Sequence, residues 1–128
     1  MAEKKKTSGT KLRPVEGQVQ QFAVLGEMTG LLQRVRGNKS KRTASVLSKT
    51  GPFRASVLAF DEGGRLEDNA LDGPFTVQCL LGRVLLTIGG RENRLTTGDL
   101  LVAEAGIAHD ISADEASVLL VTVSVAEA

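Results

Sequence analysis

Two stretches in the middle of the chain alternate with a period of two. In FRASVLAF, Phe53, Ala55, Val57 and Ala59 fall on one face; in PFTVQCLL, Phe75, Val77, Cys79 and Leu81 do so, with Thr76, Gln78 and Leu80 opposite. Side chains of an extended strand point alternately to its two sides, so this spacing predicts half-buried strands and opposes a helix at these positions. The pattern continues between turn residues. GRVLLTI and RENRLTT flank Gly89-Gly90, which predicts a hairpin with a two-residue turn. Gly98-Asp99 opens DLLVAEAG, and SVLLVTVSV follows. That last run is apolar on both faces and is expected at the centre of a packed sheet. Short strands separated by Gly, Asp and Asn turns predict an all-β sandwich or barrel.

The N-terminal part carries weaker signals. Residues 1–13 are polar, basic and without period, and Pro14 leads into the apolar segments. A flexible basic tail is expected over residues 1–15, followed by one domain over 16–128. QVQQFAVL, residues 18–25, reads as a first strand. Residues 28–36 read as a short helical turn around Leu31, Leu32 and Val35, and the polar stretch from Gly37 to Arg42 reads as a loop, Asn38-Lys39-Ser40 included.

A chain of 128 residues suits one domain. Its single cysteine, Cys79, excludes an intrachain disulfide and a Cys-based zinc site. No apolar run of membrane-spanning length and no signal-type opening are present, so a soluble, cytoplasmic protein without a membrane partner is expected. The net charge of +1 conceals an asymmetry. Residues 1–54 carry twelve Lys/Arg against three acids, and residues 55–128 carry four against twelve. A basic half can serve an acidic partner, or the two halves can neutralise each other within the domain or across a dimer. With four Phe, no Tyr and no Trp, few side chains could stack unpaired bases, and nucleic acid is not the expected partner.

The glycines impose an order on these strands. Gly63 is followed after five residues by Asn69, then Leu71, then Phe75, then Gly82; Gly98 is followed by Glu104, Gly106, His109 and Ala113. This spacing resembles the two signature motifs of the cupin family. GPFTVQCLLG and HDISADEAS look like segments of its small single-domain bacterial members. The resemblance implies a jelly-roll β-barrel and, from the usual association of such barrels, a homodimer. In the family, two His, a Glu and a third His converge on a divalent metal; here Asn69, Leu71 and Phe75 stand at the first three positions and His109 at the fourth. Pro and Asn are usual where this chain has Glu104 and Ala113.

A catalytic metal site needs about three protein ligands. Leu71 and Phe75 have no lone pair to offer, and Asn69 offers an amide oxygen, so the resemblance implies a degenerate site with no metal cofactor. The candidate ligand pocket is Asn69, Leu71, Phe75, His109 and Glu104. Glu104 precedes His109 by five residues across a loop, and a carboxylate beside an imidazole would make an acid–base pair. On a solvated loop it would do no chemistry. Asp68 and Asp110 adjoin motif positions and should face away from them, Gln78 has the opposite parity to Phe75, and Glu67-Asp68 sits in a turn. Cys79, on an apolar strand face without a neighbouring cation, is expected to pack as a small hydrophobe. The expected function is a non-catalytic cupin-like protein that binds a small molecule without metal, or serves as a scaffold. The alternatives are a dimeric regulatory protein that uses its basic N-terminal half, and an enzyme working through a weak metal site or through His109 with Glu104.

Overall fold

The computed structural model describes residues 17–125, so the expected tail over residues 1–15 lies outside the described residues. One helix, α1 (Val24–Val35), precedes nine strands: β1 (Arg42–Thr50), β2 (Phe53–Phe60), β3 (Arg65–Asn69), β4 (Phe75–Leu81), β5 (Arg83–Ile88), β6 (Arg91–Thr96), β7 (Leu100–Ala103), β8 (His109–Ala113) and β9 (Ser117–Ser124). They form a five-stranded sheet in the order β1-β2-β9-β4-β7 and a four-stranded sheet in the order β3-β8-β5-β6. All pairings are antiparallel. The all-β jelly-roll expected from the sequence is therefore present, but its two sheets are not closed into a barrel. No strand ladder joins the edges β1 and β7 of the larger sheet to the edges β3 and β6 of the smaller one.

Two apolar layers hold this arrangement. One lies between the sheets and includes Phe60, Phe75, Val77, Leu86, Ile111 and Leu119. The other lies on the outer face of the larger sheet, where Met28, Leu31 and Val35 of α1 cover Ala55, Val57, Ala59 and Val118. Each of these large apolar side chains contributes about 1.5–3 kcal/mol on full burial. Strand β9 feeds both layers, Leu119 facing inward and Val118 outward, as expected of a run apolar on both faces. The face shared by Ala55, Val57 and Ala59 is thus the helix-covered outer face, and Phe53, at its uncovered end, is exposed.

Three local expectations are corrected. Residues 18–23 form no strand, and α1 begins at Val24, earlier than the expected turn. Met28, Leu31 and Val35 recur at intervals of three and four, and burying that stripe outweighs the short alternation around Val19, which is exposed. Second, Arg42 opens a nine-residue strand, β1, which the sequence hid in polar residues such as Thr43, Ser45 and Ser48. A register shift between Val46 and Ser48 breaks its alternation further. Third, Leu81 is 40% exposed and does not share the buried face of Phe75, Val77 and Cys79. The register shifts between Cys79 and Leu81 against β9, so that Cys79 opposes Leu119 and Leu81 opposes the outward-facing Val118. One extra residue turns the end of the strand over. The hairpin at Gly89-Gly90 forms as expected, Ile88 pairing with Arg91.

Cys79 is fully buried. Burial pushes its thiol above the ordinary value, which disfavours the thiolate and any nucleophilic use. No described helix is long and apolar enough to cross a membrane.

Candidate functional site

Strand pairing places four residues in one row across the smaller sheet, from buried His109 to exposed Arg91. Asn69 of β3 pairs with His109 of β8, His109 with Ile88 of β5, and Ile88 with Arg91 of β6. The next row inward is apolar where it matters for packing, Leu66 pairing with Ile111 and Ile111 with Leu86. Asn69 reaches this row through a bulge. Leu66 faces the core, so strict alternation would send Asn69 outward. Three residues of β3 span the same distance as two of β8, and Asp68, at φ +53°, takes up the extra residue. Aspartate tolerates this left-handed conformation better than most side chains. The Asp68 backbone N–H donates to Asp110 Oδ1 at 2.7 Å, which engages the Asp110 carboxylate with the bulge.

His109 is 3% exposed. Asn69 Nδ2 lies within hydrogen-bond distance of its Nε2, at 3.1 Å. With the amide as donor, the Nδ1–H tautomer fits, its Nδ1 facing the Ile107 carbonyl oxygen at 3.4 Å. From the opposite sheet, the ring of Phe75 stacks on the imidazole with centroids 5.0 Å apart and planes 28° apart. Phe75 is itself 2% exposed. Leu71 packs against the inner core, and its carbonyl accepts the Gly106 N–H at 2.9 Å, which ties the loop before β8 to the segment before β4.

The structure therefore brings Asn69 and Phe75 each against His109 and holds Leu71 by its backbone to the loop that leads to His109. Glu104 is different. It is exposed and stands on the wall of a hollow beside the row, while both imidazole nitrogens are bonded elsewhere. It makes no acid–base pair with His109.

The four motif positions do not fit a divalent cation. Their only imidazole has one nitrogen bonded to an amide and the other to a carbonyl, with a phenyl ring against its face. Among the described residues, no group of three or more His, Cys, Asp or Glu side chains is placed to hold a metal ion. Asn69 instead serves as the partner of a buried imidazole. Asn69→Ala should cost about 1–3 kcal/mol in urea unfolding, because it strands a buried acceptor at Nε2. Asn69→Asp, which keeps an oxygen but removes the amide donor, should shift the ¹⁵N signature of His109 away from the Nδ1–H tautomer.

The hollow beside the row has a volume of about 470 Å³. It opens between the unpaired edges of β6 and β7 and is lined chiefly by Ile88, Arg91, Asn93, Leu101, Glu104 and Ile107. Sequence reasoning missed Arg91 and Asn93. Their signal was present in RENRLTT, where Arg91 and Asn93 share the parity of the apolar Leu95.

No protein-family profile and no curated protein matches the sequence. Solved structures do. A conserved protein of unknown function from Streptococcus pyogenes matches at 26% identity and a TM-score of 0.64, over 71% of this chain and 80% of that one. A cupin superfamily protein from Desulfitobacterium hafniense matches at 17% identity and 0.66, over 75% and 88%. An RmlC-like cupin from Shewanella frigidimarina matches at 19% identity and 0.64, over 69% and 79%. The four motif glycines agree with these likenesses: Gly63, Gly82, Gly98 and Gly106 all take positive φ, between +79° and +97°, at the turns where the motif spacing puts them. The chain has the cupin fold.

Proposed function

We propose that this protein is a non-catalytic, metal-free cupin that binds a small, partly apolar molecule in the hollow between β6 and β7. The observation that carries this reading is the pairing of a filled motif centre with an adjoining hollow of about 470 Å³. Ligand sites are concave, largely apolar and mostly of about 300–1,000 Å³. Ile88, Leu101 and Ile107 supply the apolar wall, and Arg91, Asn93 and Glu104 supply a few polar groups to orient a ligand. Phe75 and His109 close the space that a metal and its substrate would need, so binding moves sideways to the sheet edge.

The three isoleucines of the chain make a convenient reporter. Ile88 and Ile107 line the hollow, whereas Ile111 is buried in the core. In isoleucine-methyl NMR spectra, small-fragment ligands should shift Ile88 and Ile107 saturably and Ile111 less. A diverse fragment set that leaves Ile88 and Ile107 unmoved would refute the reading. A homodimer is part of the proposal. Leu100 and Val102 of β7 are 57% and 69% exposed, apolar surface at the rim of the hollow that a second copy would cover.

A further inference from the structure

We infer that the ligand of this hollow is a small monocarboxylate whose carboxylate is taken by Arg91 and Asn93; this rests on the hollow being the binding site. The placement of the two residues comes first. Val84 pairs with Leu95, Leu86 with Asn93 and Ile88 with Arg91, and paired residues share a face. Val84, Leu86 and Leu95 are buried between the sheets, so Asn93 and Arg91 also stand on the inner face of β6. Arg91 is exposed where it lines the hollow, so its guanidinium is solvated there and can take an anion without a burial cost.

Arg91 lacks such a counter-ion within the fold. Arg65 pairs with Glu67 and Arg94 with Asp114, whereas Arg91 has no ion-pair partner among the described residues. Asn93 Nδ2 donates to the carbonyls of Leu86 and Arg91 at 3.5 and 3.4 Å. Both contacts are longer than the preferred range of about 2.7–3.2 Å and are readily exchanged for a better acceptor. A guanidinium fork and an adjacent amide N–H match the two oxygens of a carboxylate. The floor beneath them, Ile88, Leu101 and Ile107, suits a hydrocarbon body.

Glu104 sets the other limit. It lines the same hollow as Arg91, yet no ion pair joins the two, so room is left between them. Its charge repels a second carboxylate on the far end of a ligand and accepts a hydroxyl or ammonium there. The hollow therefore selects one carboxylate, not two.

Titrations of hexanoate, hexanamide and adipate, followed on the Ile88 and Ile107 methyl signals, test this. Hexanoate should bind about fivefold or more tightly than hexanamide or adipate, and less tightly as salt is raised. Arg91→Ala should weaken hexanoate about tenfold and hexanamide by less than about threefold. Arg91→Lys, which keeps the charge and loses the fork, should fall between, and it carries the test if the alanine variant does not fold. Glu104→Gln should bring adipate within about twofold of hexanoate. Equal binding of hexanamide and hexanoate, or an Arg91→Ala variant that binds hexanoate as well as the parent, overturns the carboxylate assignment and leaves the hollow as a site. If no probe, the neutral hexanamide included, gives a saturable shift at Ile88 or Ile107, the inference falls together with the reading on which it rests.

Discussion

Phe75→Ala should lower the unfolding free energy by about 3–5 kcal/mol, the range for removing a buried aromatic ring without collapse of the space it leaves. Phe75 is 2% exposed and lies in the layer between the sheets. Its ring also closes one face of His109. The variant should therefore lose stability in urea titration and also expose the imidazole to solvent exchange. Phe75→Leu keeps most of the apolar volume but not the stacked face, and should cost less than half as much. A Phe75→Ala variant within 1 kcal/mol of the parent would mean that this position is not the plug described here.

Gly82→Ala should be about as damaging, at about 3–5 kcal/mol, through a different cause. Gly82 sits at φ +97°, where an L-residue is strained. A Cβ there would lie 2.3 Å from Ser117 Oγ, 2.5 Å from the Ala116 carbonyl oxygen and 2.8 Å from Ser117 Cα. Two of those three atoms are backbone. The third belongs to a buried hydroxyl that accepts the Arg83 N–H at 3.0 Å and donates to the Glu115 carbonyl at 2.8 Å, so it has little freedom to move. Gly98 provides the control. It has nearly the same φ, +96°, with open space where its Cβ would go. Gly98→Ala should show the backbone strain alone, about 1–2 kcal/mol. Thermal or urea unfolding of the two variants separates strain from collision, and equal losses would contradict the assignment.

The features that stood out in the sequence were those that follow from local rules. The alternation in Phe75, Val77 and Cys79 marks a buried strand face because packing acts on every second residue. The apolar run of β9 told of its central position, between β2 and β4. Glycines at fixed intervals marked turns, and the two-residue hairpin followed from Gly89-Gly90. The errors came where a nonlocal pairing overrode the local period. Leu81 faces outward because β4 slips by one residue against β9, and nothing within PFTVQCLL records that slip. β1 was hidden because its neighbours in β2, not its own apolar content, make it a strand. Residues 18–25 alternate weakly, but the larger sheet offers an apolar face that a helix from Val24 covers better.

The candidate site shows the same division. Motif spacing groups Asn69, Phe75 and His109, and in the fold Asn69 and Phe75 each meet His109. It could not show that Asn69 turns inward only by virtue of the Asp68 bulge. Nor could it separate Glu104 from His109, since a five-residue loop permits contact without requiring it. Arg91 and Asn93 were passed over because a polar strand reads as solvent-facing. Their inward aim becomes plain only when β6 is paired with β5 and found at a sheet edge.

The central claim is that the motif centre has exchanged a metal cage for a hydrogen-bonded, ring-stacked fill. Purified protein should be incubated in turn with Fe²⁺, Mn²⁺, Ni²⁺ and Zn²⁺, desalted, and analysed for bound metal by mass spectrometry. The account predicts less than about 0.1 equivalent of each, and a His109→Ala variant indistinguishable from the parent, because a catalytic site needs about three protein ligands and this centre offers one. One equivalent of any of these metals, lost in His109→Ala, would contradict it.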